Sequence, residues 1–464
     1  MADPFSARLR ELVLADTAVF LKALREWTAI PSVSADAARS GDVTRSARWL
    51  CSALRQSGFP VVEEWATEGL PAVYACWPAE DPAAPTLLIY SHHDVHAVKE
   101  AEWCETLPFD PVLREGRLYG RGASDAKGQV ICHLWALRAH LAGQGRAAPA
   151  VTVKLLVEGE EEIGSVHLAD LLAKHGAQLT ADVLMVSDSM LWSLEDAAVC
   201  TSVRGSVNAS LEVRGAQRDV HSGAVSGAAP NALTELCRVL GRLHDDAGRI
   251  DIPGFHDAVR EPTAANRAGL EALGPPDPAT WMRDTGTFGT GGEEGRGLME
   301  RVWFRPSAEV SRMVGGDPEG PARGVVPATA SADILLRLVP DQSADEVARQ
   351  LRHWLDGLAR GNFTYDLEVS STISDPYTTP EDHPALAALM TSMSHAFGGP
   401  ALRMGNGGAA PAAQLAGALA APVLFFGTGL LSDRWHGPDE KVEVRALQLG
   451  AQTLAEFLGA LSVA

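Results

Sequence analysis

Short apolar segments alternate with helical patterns up to about residue 203, and this alternation constrains the fold more than any other feature. Apolar runs predict strands at 86–90 and 151–157, while apolar residues at helical spacing predict helices at 17–27 and 130–141. Such alternation is typical of βαβ units around a mostly parallel sheet with helices on both faces. We therefore predict an α/β domain of this kind.

The sequence pattern changes near residue 204. The segments GSVNASLEVRGA and ATASADILLRLV alternate apolar and polar residues, which predicts antiparallel strands with one solvent-facing side. A Gly- and Pro-rich tract between them, GPPDPATWMRDTGTFGTGGEEGRG, is predicted to be mostly loop. Because 464 residues are too many for one ordinary core, we predict a discontinuous α/β domain, 1–203 and 384–464, interrupted by an inserted α+β domain, 204–383.

Composition excludes several classes of protein. A net charge of −20 argues against a nucleic-acid partner, since such proteins need basic patches. No apolar stretch approaches the roughly 18 residues of a membrane span, and the amino terminus lacks the order of a signal peptide. We expect a cytoplasmic protein with no membrane partner. The six cysteines form no CxxC pair, which argues against a thiolate zinc site.

Histidine and carboxylate side chains follow several predicted strands. SHHDVH follows residue 90, EGEEEIGS follows residue 157, and two further apolar runs lead to Asp188 and His436. The carboxyl ends of parallel strands meet at one edge of a sheet, where ligands usually bind. Each cluster alone could be a solvated polar loop, but their recurrence favours a metal site. Oxygen and imidazole donors without cysteine suit zinc, manganese or cobalt in an open, catalytic site.

The glycine-rich segment LYGRGASDAKGQ resembles a nucleotide-binding loop in composition, but the order of its residues excludes that interpretation. Lys127 precedes Gly128, whereas a P-loop has glycine followed by lysine and then serine or threonine, and no third glycine completes a dinucleotide fingerprint. The segment instead places Asp125 in a tight, glycine-rich turn.

The order SHHDV, GRGASDAKG, EGEEEIGS, SDS and HGPDEKV resembles the dinuclear zinc peptidases that include carnosinase-type dipeptidases, aminoacylases and carboxypeptidase G. The resemblance spans nearly the whole chain, and RGSVNASLEV, DVHSGAVSGAAPNA and GVVPATASADILLRLVPDQ match the family's inserted lid and dimerisation domain. It implies a homodimeric hydrolase that cleaves an amide or peptide bond in a small substrate such as a dipeptide. It also implies two divalent ions per chain, zinc first, with manganese or cobalt as alternatives.

The resemblance implies roles for individual residues. Asp94 would support the ligand His92 without binding an ion itself. Glu161 would be the general base that activates a water bridging the two ions. Histidines 93 and 96 fall on positions that vary in the family. The implied ligands are His92, Asp125 and Asp188 for one ion, and Asp125, Glu162 and His436 for the other.

Substrate contacts follow from the same resemblance, with departures. His221 matches a histidine that reaches across a dimer interface to polarise the carbonyl oxygen in the partner's site. Arg337 matches an arginine that contacts the carboxylate end of the substrate. The family's glutamate and serine in one loop are replaced by Asn406 and Ala409. From this loop we expect weak activity on dipeptides with a free carboxylate and better activity on substrates whose carboxyl end is modified, bulky or apolar.

Two alternatives remain open at this point. The first is an N-acyl-amino-acid deacylase or an amide-processing enzyme of a specialised pathway. Such an enzyme would use the same metal centre, but different residues would contact its substrate. A catalytically silent dimeric binding protein is the alternative from another class. Silent relatives should lose ligands or the base, whereas this chain keeps the full implied set.

Overall fold

The computed structural model describes residues 4–317, 320, 323–370 and 374–463. Its helices are α1 (Pro4–Thr28), α2 (Ser40–Gln56), α3 (Lys127–Gln144), α4 (Leu168–Leu179), α5 (Ser222–Val225), α6 (Ala232–Leu240), α7 (Ala264–Leu273), α8 (Pro278–Thr285), α9 (Leu298–Phe304), α10 (Ala344–Leu358), α11 (Pro384–Phe397), α12 (Ala412–Leu419) and α13 (Val444–Leu461). Its strands are β1 (Val61–Trp65), β2 (Ala72–Trp77), β3 (Thr86–His92), β4 (Val112–Arg114), β5 (Arg117–Tyr119), β6 (Thr152–Glu158), β7 (Val183–Val186), β8 (Ala198–Val203), β9 (Gly205–Arg214), β10 (Val220–His221), β11 (Ser307–Gly315), β12 (Val325–Val326), β13 (Thr329–Leu338), β14 (Thr364–Val369), β15 (Tyr377–Thr378), β16 (Leu402–Asn406), β17 (Val423–Phe425) and β18 (Lys441–Glu443). None of these described helices is both long and apolar enough to cross a membrane.

The central sheet has the strand order β1-β2-β6-β3-β7-β17. The pairs β6/β3, β3/β7 and β7/β17 are parallel, whereas β2 runs antiparallel to β6. Leu87 and Ile89 of β3 pack into a core with α1, α3 and α13, while Leu88 and Tyr90 pack into a second core with α4 and α12. Successive side chains of a strand point to opposite faces, so helices cover both faces of the sheet. The predicted α/β architecture is confirmed.

The strands and helices predicted in the first part of the chain are present. The strand predicted at 86–90 is the start of β3, which continues to His92, and the helix predicted at 130–141 lies inside α3. The helix predicted at 17–27 is the second half of α1, which already begins at Pro4. The extension of β3 matters most, because it makes His92 the last residue of a buried strand.

A second sheet is antiparallel throughout and has the order β11-β13-β9-β14. Residues of β9 and β13 alternate between buried and more exposed positions, as their sequence pattern predicts. The buried face forms a separate core with α6 and α10, in which Leu211 and Leu336 are fully buried. This core supports an inserted α+β unit, although the boundaries 1–203, 204–383 and 384–464 stay a prediction.

The Gly- and Pro-rich tract at 274–297 contains one helix that its composition does not suggest. The Asp277 carboxylate accepts a hydrogen bond from the Thr280 backbone N–H at 2.9 Å, and Pro278 is the first residue of α8. A capping aspartate followed by proline is a helix-start signal. The rest of the tract is loop, as predicted.

Candidate metal centre

The ends of two neighbouring strands bring the first pair of predicted ligands together. His92 ends β3, and Asp188 lies two residues beyond the end of the adjacent parallel strand β7. His92 Nε2 is 3.9 Å from an Asp188 carboxylate oxygen. The imidazole is fully buried, and its Nδ1 lies 3.1 Å from the Asp94 backbone carbonyl, to which it can donate a hydrogen bond. That contact leaves Nε2 facing the carboxylates.

Asp125 lies between the two predicted ligand sets. One of its carboxylate oxygens is 3.1 Å from His92 Nε2, and the other is 3.2 Å from His436 Nε2. His436 Nε2 is also 3.1 Å from a Glu162 carboxylate oxygen. Asp125 thus presents one oxygen to each side, which is the arrangement that a carboxylate shared by two cations requires.

Two groups of donor atoms are close enough together to hold a metal ion. In each group the donor atoms lie within 4.8 Å of one another, and the groups are His92 with Asp125 and Asp188, and His96 with Glu162 and His436. Five of these six residues are those that the sequence pointed to. His96 is the sixth, and the sequence offered only its place in the SHHDVH cluster as a signal.

Asp94 fixes the geometry of both sides of the centre. Its buried carboxylate accepts hydrogen bonds from the backbone N–H groups of Glu161 and Glu162, at 3.3 and 3.1 Å. Its Oδ1 also lies 3.4 Å from His92 Nδ1. One side chain therefore orients both His92 on β3 and the turn that follows β6, whereas its role in supporting a bound metal stays a prediction.

Glu440 fixes the turn that carries Asp125, and the sequence analysis missed it. This fully buried carboxylate accepts hydrogen bonds from the backbone N–H groups of Gly122, Ser124 and Asp125, and from the Arg121 guanidinium at 2.6 Å. Supporting contacts of this kind orient metal ligands and tune their affinity. The only signal in the sequence was an acidic residue four positions after His436.

The charges of the site fit divalent cations. Burial, together with neighbouring carboxylates, raises the pKa of Glu162 to about 7, that of Asp188 to about 6 and that of Glu161 well above its usual value. The Oε1 atom of Glu162 is buried without a hydrogen-bond partner. Carboxylates held together out of water repel one another unless cations neutralise them. The donor set and its unsatisfied oxygen therefore fit two bound metal ions.

A cavity of about 610 Å³ opens beside Glu161. Ala409 lies on its wall, as do Ser206, Asn208, Asp375 and Gln414. Asn406 does not line this cavity; its side-chain oxygen accepts a hydrogen bond from the Gly408 N–H at 2.8 Å, and its amide nitrogen donates to the Ser189 hydroxyl at 3.5 Å. Of the two predicted loop contacts, Ala409 lies at the cavity and Asn406 lies between Gly408 and Ser189, so a substrate contact of Asn406 stays a prediction.

Arg337 and His221 lie outside both donor groups. Arg337 is directly opposite Ser206 in the β13/β9 pair, so both side chains project from the same face of the sheet and Arg337 is a neighbour of the cavity wall. His221 is exposed on β10, which pairs with β12. Within one chain, His221 does not join the ligands.

Comparison with known proteins gives matches over most of the chain. The chain matches Peptidase family M20/M25/M40 over residues 88–460. It is 30% identical over 430 residues to the cysteinylglycine-S-conjugate dipeptidase of Corynebacterium striatum, covering 89% of each chain. It is 26% identical over 402 residues to the Beta-Ala-His dipeptidase of Mus musculus, covering 85% of this chain and 80% of that one.

A solved structure gives the same result for the whole fold. The M20 family metallo-carboxypeptidase of Sulfolobus solfataricus superimposes with a TM-score of 0.85 at 27% sequence identity, covering 96% of this chain and 99% of the other. These matches leave no support for a silent binding protein. The chain belongs to the M20/M25/M40 peptidase family and is a hydrolytic enzyme.

Proposed function

We propose that this protein is a dipeptidase that uses two divalent ions, zinc first, held by His92, Asp125 and Asp188 on one side and by Asp125, Glu162 and His436 on the other. The observation that carries the proposal is the division of the Asp125 oxygens between His92 and His436. The two relatives are named as dipeptidases, and the match covers most of the length of each. This favours a dipeptide over an N-acyl amino acid as the substrate. When bound, the ions would lower the pKa of water and polarise the scissile carbonyl.

Glu161 is positioned to move the proton. It lies three residues beyond the end of β6, its backbone N–H donates a hydrogen bond to Asp94, and it borders the cavity. Burial favours the protonated form of this carboxyl and raises its pKa. A base of this kind accepts a proton from the attacking water and then delivers it to the leaving nitrogen, so that one residue serves both proton transfers.

The variant Glu161→Gln tests this role. The amide keeps the shape of the side chain but cannot carry the proton, so kcat on a cleaved dipeptide should fall by about a hundredfold to ten-thousandfold, while metal content stays at two ions per chain. The exposed Glu68→Gln is the matched control and should leave kcat unchanged. Near-normal turnover in metal-replete Glu161→Gln would remove Glu161 from catalysis.

Two features of the protein lead to opposite expectations for the carboxyl end of the substrate. Ala409 offers no hydrogen bond at the cavity wall, which favours a modified or apolar carboxyl end. Arg337 is half-buried, which lowers the pKa of its guanidinium, and it has no ion-pair or hydrogen-bond partner among the described residues. Leaving a buried charge unpaired costs more than losing one neutral hydrogen bond. We therefore propose that a free substrate carboxylate pairs with Arg337.

Matched substrates decide between these two effects. We expect the free acid of a dipeptide to have a higher kcat/KM than its amide or methyl ester, and Arg337→Gln to reduce that preference. Steady-state kinetics on both forms of the same dipeptide measures the ratio, and the exposed Arg352→Gln serves as control. A preference for the amide or ester in the unmodified enzyme would favour the expectation from the loop and contradict the Arg337 pairing.

We further propose that the active form is a homodimer in which His221 acts in the partner's site. The exposure of His221 and its absence from both donor groups of its own chain support this assignment. A histidine that reaches the scissile carbonyl across an interface would stabilise the negative charge that develops on its oxygen.

Subunit mixing tests this arrangement. His221→Ala and Glu161→Gln dimers should each be nearly inactive, and mixing them should restore activity to about a quarter of the normal level, because half of the dimers are hybrids with one complete site of two. Each variant mixed with itself is the control. No recovery after demonstrated subunit exchange would show that His221 does not act in trans.

A further inference from the structure

His96 lies among the candidate metal ligands although neither the sequence motif nor the family resemblance assigns it a role. A nitrogen of its ring lies within 4.8 Å of donor atoms of both Glu162 and His436. The His96 and His436 rings are stacked nearly parallel, with centroids 4.3 Å apart and an interplanar angle of 13°. The lone pair of an imidazole nitrogen lies in the plane of its ring, so a single ion can bind both residues only when the His96 ring turns out of this stack. The buried, unpartnered Oε1 belongs to the glutamate of the same group.

The hydrogen bonds of His96 match those of a ligand. Its Nδ1 lies 3.1 Å from the Ala97 backbone carbonyl, just as Nδ1 of His92 lies 3.1 Å from the Asp94 carbonyl. A carbonyl can only accept, so Nδ1 donates in both residues and the Nε2 lone pair is left free. Metal-binding histidines commonly have their other ring nitrogen held in this way.

His93 provides the contrast within the same cluster. Its Nε2 lies 2.9 Å from the Pro71 backbone carbonyl and its Nδ1 is buried without a hydrogen-bond partner. It belongs to neither donor group. Of the three histidines in SHHDVH, the structure therefore places His92 on one side of Asp125 and His96 on the other, with His93 turned away.

We propose that His96 is an additional ligand of the ion held by Glu162 and His436, so that the two positions of the centre are chemically different. This inference rests on the proposed two-ion centre. The position with His96 would have two imidazoles and two carboxylates, counting Asp125, whereas the other would have one imidazole and two carboxylates. Imidazole suits zinc and cobalt, whereas carboxylate and water suit manganese and magnesium.

Two consequences follow from the unequal donor sets. The position with two imidazoles should bind zinc or cobalt more tightly and should fill first. It should also keep fewer open coordination places, because a fourth protein ligand occupies one of them. The position at His92 and Asp188 would then be the more open one for substrate.

The variant His96→Gln tests the proposal through metal binding in the absence of substrate. Titration of the metal-free protein with Co²⁺, followed by its visible absorption, should show two binding steps in the unmodified enzyme. In His96→Gln the tighter step should weaken by about tenfold to a hundredfold, and its absorption should move to lower energy because oxygen replaces an imidazole nitrogen. The exposed His353→Gln is the matched control and should behave like the unmodified enzyme.

X-ray absorption on the unmodified, zinc-loaded protein gives a measurement that does not depend on the variant's folding. Three imidazoles shared by two zinc ions support the proposal, whereas two imidazoles overturn it. Unchanged Co²⁺ affinity and absorption in His96→Gln would also overturn it. A protein that binds fewer than two ions would instead contradict the proposed function, so the two failures are distinguishable.

Discussion

The mutual repulsion of the carboxylates around Asp125 is the constraint on which the rest of the site depends. Glu161, Glu162 and Asp188 are gathered around Asp125 at one edge of the central sheet, where burial and neighbouring carboxylates raise the pKa of these three groups and disfavour their ionised forms. The pKa of Asp125 is instead lowered, because its hydrogen bonds with His436 and His92 outweigh its burial. Without cations, holding these carboxyl groups together out of water costs free energy on folding. It becomes favourable when divalent cations occupy the space between the carboxylates and the histidines, and metal binding then contributes to the stability of the folded state.

The surrounding fold supplies the rigidity that this arrangement needs. β3, β6 and β7 are adjacent and parallel, so the residues at their carboxyl ends are held at fixed spacing. Hydrogen bonds to Asp94 connect the chain just after β3 with the turn after β6. A hydrogen bond to Glu440 connects the turn that carries Asp125 with the chain beyond His436. Asp94 and Glu440 are both buried carboxylates whose oxygens accept hydrogen bonds from backbone N–H groups. The proposed ligands therefore come from five separate chain segments and meet at one edge of the sheet.

The sequence was sufficient for the parts of the molecule that repeat a local rule. Period-two and helical patterns identified β9, β13 and α3, and the clusters after the apolar runs pointed to His92 and Asp188, which the fold brings within 3.9 Å of each other. Local patterns could not identify Glu440, because its partners lie more than 300 residues earlier in the chain. They also gave His96 no role, since its closeness to Glu162 and His436 exists only after β3 and β6 pair. The α8 helix was missed because glycine content outweighed the Asp277–Pro278 start signal.

Anomalous X-ray diffraction from crystals of the zinc-loaded protein tests the central claim most directly. The account predicts two anomalous peaks per chain, about 3.5 to 4 Å apart, with one Asp125 carboxylate oxygen bound to each ion. A single peak, or two peaks with the Asp125 carboxylate on only one of them, would contradict the account of a shared carboxylate between two cations.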